Sequence, residues 1–284
     1  AEQGNYSVTY ATGTLTITKA ETMTLTPELT GKDAEKVFDG QPLSGGATAS
    51  VTKGTKITYS TDGGKTWSET LPSITNVGTL NVTAKAENKN YKDVTVDYTL
   101  KVTRKAVTVT ADNKSKVFGE KDPELTATVT GTIGKDTVEY TLSRKAGEDV
   151  GTYTITPSGK AEQTNYKVTY ATGTLTITKA ETMTLTPELT GKDAEKVFDG
   201  QPLSGGATAS VTKGTKITYS TDGGKTWSET LPSITNVGTL KVKAKAENKN
   251  YKDVTVDYTL TITRKAVTVT ADNKSKVFGE KNPE

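Results

Sequence analysis

Tyr98-Thr99-Leu100-Lys101-Val102-Thr103-Arg104-Lys105-Ala106-Val107-Thr108-Val109 alternates apolar and polar residues, breaks at Arg104-Lys105, and alternates again. A period of two puts the apolar residues of a strand on one face and its threonines on the other. No Gly/Ser-rich or Pro-rich linker separates the two runs, so one strand-rich module passes directly into the next and the join is expected to be stiff. The same pattern recurs at Thr14-Leu15-Thr16-Ile17-Thr18, and Thr makes up 58 of the 284 residues. Thr is β-branched, suits strands and tolerates water on one face. With only 32% apolar residues, the expected modules have thin cores and threonine-covered outer faces.

Residues 1–124 return at 161–284 without a gap, with 117 positions identical. The seven differences are Gly4/Thr164, Ser7/Lys167, Asn81/Lys241, Thr83/Lys243, Lys101/Thr261, Val102/Ile262 and Asp122/Asn282. A period of 160 residues marks an array of whole domains, because solenoid units span only about 20–50 residues. Inside it lies an older repeat of two related modules, X (21–105) and Y (106–180). Lys36-Val37-Phe38 of X answers Lys116-Val117-Phe118 of Y; Asn76-Val77-Gly78-Thr79 answers Asp149-Val150-Gly151-Thr152; Asn90-Tyr91 answers Asn165-Tyr166. The chain then reads as the tail of a Y (1–20), X (21–105), Y (106–180), X (181–265) and the head of a Y (266–284). The end segments leave unpaired strand edges, which seek partners, so head-to-tail strand pairing through them is one expected contact. We read the chain as an excerpt of a longer array.

Strand signals fill both modules. X shows them at Thr22–Leu29, Ala47–Thr52, Lys56–Ser60, Thr66–Glu69, Thr79–Glu87 and Val94–Arg104. Y shows them at Ala106–Ala111, Leu125–Thr130, Thr137–Ser143, Gly151–Thr156, Tyr166–Tyr170 and Thr174–Lys179. The expected class is all-β: tandem small sandwiches of the immunoglobulin-like type, without a Cys pair, in an elongated rod. A β-grasp-like mixed module is the alternative. It needs a helix of about ten residues, and the best helical stretch, Gly31–Lys36, is a single turn. Modules about 35 Å long, roughly 3.5 of them, would give a rod of roughly 120 Å.

Composition excludes several function classes. Lys and Arg number 36 against 33 acidic residues, and only Arg104, Arg144 and Arg264 are Arg. Lys is a solvated point charge, whereas Arg makes the bidentate phosphate contacts. Interleaved charge with no basic stripe argues against nucleic acid as a partner. No segment approaches the ~20 apolar residues that insert in a membrane. Cys is absent, so there is no thiol or disulfide chemistry. His is absent too, which removes the usual general base at neutral pH. Asp39, Asp62 and Asp136 lie in turns, but no calcium-loop spacing surrounds them, and no cofactor is expected.

Ser60-Thr61-Asp62-Gly63-Gly64-Lys65-Thr66-Trp67, repeated at 220–227, resembles the Asp-box of sialidases and other secreted β-proteins. Physically it is a hairpin turn in which Asp62 binds backbone N–H groups, Gly63-Gly64 supply positive φ and Trp67 packs inward. Its aromatic neighbours make Trp67 and Tyr59, with Trp227 and Tyr219 in the second copy, the candidate ligand residues; Tyr153 would join them if exposed. A patch of such rings would suit a sugar. Tyr91, Tyr166 and Tyr251, each preceded by Asn, read as core or corner tyrosines.

Lys36-Val37-Phe38-Asp39-Gly40 resembles the motif of YDG-type modules, with Phe where Tyr is usual. Lys116-Val117-Phe118-Gly119-Glu120-Lys121-Asp122-Pro123, with Gly147-Glu148-Asp149-Val150-Gly151-Thr152-Tyr153, resembles MBG-type modules, again with Phe for Tyr. The resemblance covers nearly the whole chain: 1–20 as the C-terminal part of an MBG-like module, 21–105 and 181–265 as YDG-like modules, 106–180 as an MBG-like module, and 266–284 as the N-terminal part of another. Both families are tandem repeats of large bacterial surface proteins and adhesins. The resemblance implies a cell-wall-anchored, extracellular location and a non-catalytic role, either a stiff stalk that projects a binding head or a multivalent binder of host glycan or mucin. It carries no ligand residues over.

Overall fold

A computed structural model describes residues 4–284. The first X carries β1 (Leu25–Pro27), β2 (Glu35–Val37), β3 (Leu43–Ser44), β4 (Ala47–Ala49), β5 (Thr55–Ser60), β6 (Ser73–Ile74), β7 (Gly78–Asn88) and β8 (Tyr91–Thr103). Y carries β9 (Lys105–Ala111), β10 (Lys114–Val117), β11 (Ala127–Thr130), β12 (Thr141–Arg144), β13 (Gly151–Ser158), β14 (Glu162–Gln163), β15 (Tyr166–Ala171) and β16 (Gly173–Thr178). In the second X, β17 to β24 repeat the X order from Leu185–Pro187 to Val254–Thr263. The only helical pieces among the described residues are two four-residue 3-10 turns, Gly31–Ala34 and Gly191–Ala194. The all-β reading therefore holds, and the β-grasp alternative has no helix to stand on.

Each X is a four-stranded sheet, ordered β2-β8-β7-β5 in the first copy, with the two-stranded pairs β1-β4 and β3-β6 beside it. β7 and β8 form the long antiparallel hairpin, and β2 joins the far end of β8 in parallel, Lys36 opposite Val102. Alternation along these strands sends Val82, Ala84, Ala86, Tyr98 and Leu100 into a core closed by Met23, Leu25, Ala47 and Ala49. Ala at 84, 86, 47 and 49 lets the layers approach closely, which is how so few apolar residues fill a core.

The chain divides into two compact units, and the division runs through Y. The first unit holds residues up to Asp112 with Leu125–Ser143 and Ile155–Gly173; it contains the first X and the sheet β11-β9-β15-β14. Here β9 lies parallel to β15 over six residue pairs, Lys105 opposite Tyr166. The second unit holds Asn113–Glu124, Arg144–Thr154 and Thr174–Glu284; it contains the second X and the parallel pair β10-β16. Strands β12 and β13 are shared out between the units at Ser143/Arg144 and Thr154/Ile155.

Several short strands were invisible to the period-two pattern. β2 and β10 are Lys-bearing runs of three and four residues whose parallel partners lie more than 60 residues away. The run at Thr66–Glu69 is no strand; only Ser68 bridges Tyr59 on the edge of β5, with N···O distances of 2.7 and 2.9 Å.

Sequence identity does not ensure identical burial. Tyr6 is 77% exposed and Leu15 89%, yet their repeats Tyr166 and Leu175 are 4% and 0% exposed. Residues 7–19 form no strand, whereas 166–178 form β15 and β16. The difference is the company of β9, β10 and β13, since an unpaired strand gains nothing from its propensity.

Thr164 is the one non-glycine among the described residues with positive φ, at 30°. Its counterpart in the other repeat is Gly4. A β-branched side chain there is strained by about 1–3 kcal/mol, and Gly returns part of that as chain entropy. Thr164→Gly should therefore stabilise Y by about 1 kcal/mol in urea unfolding; a lower midpoint would refute the strain.

Candidate functional site: the joints between modules

The Asp-box turn is built as the sequence suggests. Asp62 Oδ1 accepts from the N–H groups of Lys65 and Thr66, both at 3.0 Å, and Oδ2 accepts from Thr66 Oγ1 at 2.6 Å. Ser60 Oγ donates to Asp62 Oδ1 at 2.7 Å and accepts from Gly64 N–H at 2.8 Å. Gly63 and Gly64 adopt φ of 75° and 86°. Trp67 does not pack inward. It is half-buried on the outward face of the sheet, its indole N–H donating to Gly64 C=O at 3.1 Å and Lys85 Nζ lying 4.8 Å from the ring centroid. Trp227 repeats this under Lys245 at 5.1 Å.

Tyr59 and Tyr219 do not join a surface patch. Each is 8% exposed in its core, with a hydroxyl that accepts from the N–H of Ala47 or Ala207 at 3.3 and 3.2 Å. Their place on the ligand list is corrected: the ring that fills a thin core cannot also stack on a sugar. Tyr153 is half-buried beneath Arg144 and donates to Asp149 C=O.

The titratable groups that do converge are Lys116, Asp122, Arg144 and Glu148 of Y. Lys116 Nζ lies 2.8 Å from Asp122 and 2.5 Å from Glu148, and Arg144 pairs with both carboxylates. Arg144 and then Lys116 hold the Asp122 carboxyl below its usual range, and the two carboxylates raise Lys116. Every shift moves a group further from neutrality, the reverse of what acid–base catalysis uses. This cluster clamps a fold.

The densest polar constellation lies where modules meet. At the X-to-Y joint, Lys105 N–H donates to Asn165 C=O at 3.0 Å, which seats the incoming strand on the corner that precedes β15. The Asn165 side chain, itself buried, accepts from Val77 N–H at 2.9 Å and donates to Asn76 Oδ1 at 3.1 Å. Tyr166 meets Phe38 edge-to-face, centroids 5.6 Å apart at 88°. Its hydroxyl donates to Asp136 Oδ2 at 2.5 Å and accepts from Ile133 N–H at 3.0 Å. Phe38 and Val102 of X share one core with Val107, Val109, Tyr166 and Val168 of Y.

The Y-to-X joint repeats the plan. Ala180 N–H donates to Asn250 C=O at 2.9 Å, and Asn250 Oδ1 accepts from Val150 N–H at 2.9 Å. Asn250 Nδ2 donates to Asp149 Oδ1 at 2.8 Å, and Phe118 meets Tyr251 at 5.4 Å and 70°. Lys249 adds an ion pair to Asp149 at 2.7 Å, and with Asn250 it holds that carboxyl below its usual range. The corner tyrosines expected at 91, 166 and 251 thus exist, and two of them grip a neighbouring module. Sequence reading missed the gripping role of Phe38, Phe118, Val77 and Val150. The signal was present, because these motifs are what X and Y have in common.

Identical residues in unlike settings give a direct check. Phe38 is 5% exposed, while Phe198 at the same place in the second X is 37% exposed. Phe38→Ala should destabilise the first unit by about 3 kcal/mol or more, and Phe198→Ala the second by under about 1 kcal/mol; equal effects would deny that the joint is energetic. A second check concerns acid. The Asp62 and Asp222 carboxyls are held low, first by the Thr66 and Thr226 hydroxyls. A carboxyl with a lowered folded pKa stabilises above its unfolded value near 3.9 and loses that contribution as pH falls through the folded one. Trp67 and Trp227 are the sole tryptophans and sit in these turns. Tryptophan fluorescence should therefore hold steady to about pH 4 and change below it, and change already at pH 7 in Asp62→Ala/Asp222→Ala.

Residues 107–176 match the model of the MBG domain of YGX type, and residues 188–266 match a second MBG-domain model. The latter covers the module read as YDG-type. No curated protein matches the chain. Similar solved structures include extracellular domains 3–5 of Drosophila OTK (10% identity, 82% of this chain and 94% of that one, TM-score 0.32). A three-immunoglobulin segment of titin shares 14% identity over 82% of this chain and 95% of that one, TM-score 0.31. A 1.5-MDa bacterial ice-binding adhesin retained on its host cell surface shares 12% identity over 87% and 99%, TM-score 0.35. Together the two family models span just over half of the sequence, and the chain belongs to the MBG-domain family.

Proposed function

We propose that the chain is a non-catalytic spacer of a bacterial surface adhesin, a run of modules that holds a binding head away from the cell wall. The observation that carries this reading is the joint: the same aromatic grip and the same asparagine cap recur where the first X meets Y and where Y meets the second X. A structure that repeats its connectors, and whose converging groups Lys116, Asp122, Arg144 and Glu148 are held in their charged forms, suits reach. The family match favours an extracellular surface setting. Small-angle scattering tests the idea. A stiff spacer has a maximal dimension of roughly 120 Å, and Phe38→Ala/Phe118→Ala should loosen it into a broader distance distribution. A compact particle, or a double variant as stiff as the parent, would sink it.

A second reading is a multivalent binder of host glycan or mucin, in which weak sites gain strength through repetition. The half-exposed Trp67 and Trp227, each under a lysine, favour it. Retention on a mucin or glycan array at physiological salt, lost in Trp67→Ala/Trp227→Ala, would support it.

A further inference from the structure

The two joints share their anchor and differ in one pair of residues. The residue ahead of the loop valine is Asn76 in X and Asp149 in Y. The residue ahead of the corner asparagine is Thr164 in Y and Lys249 in X, with Lys89 in the first X. Where Y meets X, Asp149 takes both Lys249 Nζ at 2.7 Å and Asn250 Nδ2 at 2.8 Å. Where X meets Y, Asn76 takes only Asn165 Nδ2 at 3.1 Å, and neither side is charged. Both members of the pair change together from one joint to the other.

We propose that the residue ahead of the loop valine selects which kind of module docks: Asp149 admits the Lys249-Asn250 corner of an X, and Asn76 the Thr164-Asn165 corner of a Y. An X corner set against an X loop would leave its lysine facing a neutral amide. A Y corner set against a Y loop would leave the aspartate with no cation. Each mismatch forfeits the ion pair, which is discrimination by unpaired charge. The need is plain in this chain. Phe38 and Phe118, and the asparagine caps, would grip either module type, so the anchor alone cannot tell X from Y. Neighbours that share the Lys-Val-Phe, Val-Gly-Thr and Asn-Tyr motifs invite wrong pairing while they fold. The inference holds whatever the array carries at its tip, so it stands apart from the spacer reading.

Amide hydrogen exchange on the full chain tests it, because Val150 N–H and Val77 N–H each close one joint. At low salt, Asp149→Asn and Lys249→Thr should each speed Val150 exchange about two- to fivefold, the range of an exposed ion pair, and leave Val77 unchanged. The double variant recreates the neutral joint and should be no faster than either single one. Charge reversal in Asp149→Lys/Lys249→Asp should be slower-exchanging than either reversal alone. At about 1 M salt all these differences should close. Additive effects in the double variant, unchanged Val150 exchange in the single ones, or differences that persist in salt would overturn the proposal.

Discussion

An asparagine side chain, buried at 165 and half-buried at 250, holds each joint together. Asn165 and Asn250 present a carbonyl to a backbone N–H of the neighbouring module, and a main-chain carbonyl to the incoming strand. An N–H closed off from water without an acceptor is strongly unfavourable, by about 1–3 kcal/mol. The loop valine therefore cannot be covered unless the asparagine is there. Once it is covered, Phe38 can lie against Tyr166 and Phe118 against Tyr251, and apolar cores run on from module to module. In the first unit Val102 of X and Val107 of Y lie in one cluster, five residues apart across the connection. The absence of a linker is thus a requirement of packing, since a flexible insert would part these valines.

The division of Y between two compact units follows from the same chemistry. Its first sheet packs with the X before it, and its parallel pair β10-β16 belongs with the X after it. Y keeps its buried valines on one sheet and Leu175 and Ile177 on the other, so each sheet of this small module shares apolar surface with a different neighbour. This also explains the bare ends. Val107 and Val109 are fully buried, while the same residues at 267 and 269 are exposed.

Much of the fold was legible because alternation is strong wherever one face is buried. Leu100, Val102, Val107 and Val109 all lie where the pattern puts them. The misses have local reasons. Glu35–Val37 and Lys114–Val117 are too short to show a period and are strands only through a distant parallel partner. Trp67 was read inward because tryptophan is apolar; the Asp62 turn instead folds it across the outer face, where Lys85 covers it. Tyr59 is a ligand candidate in the sequence because it neighbours that turn, but its even-numbered companions on β5 face the other way and its hydroxyl has a partner inside. For the joints, Asn-Tyr, Val-Gly and Lys-Val-Phe were all visible as motifs shared by X and Y. Their meaning was not, because a contact between residues 77 and 165 leaves no trace in either segment alone.

The parallel pairings carry a mechanical consequence. Within Y the first strands run alongside the last in the same direction, β9 with β15 and β10 with β16, and in X the short β2 runs alongside β8. A pull along the chain draws such neighbours past one another in opposite senses. Their hydrogen bonds are then loaded broadside and must yield together, instead of parting rung by rung as they would if peeled from one end. A chain that tethers one object to another under flow meets this load, and six residue pairs between β9 and β15 share it at once.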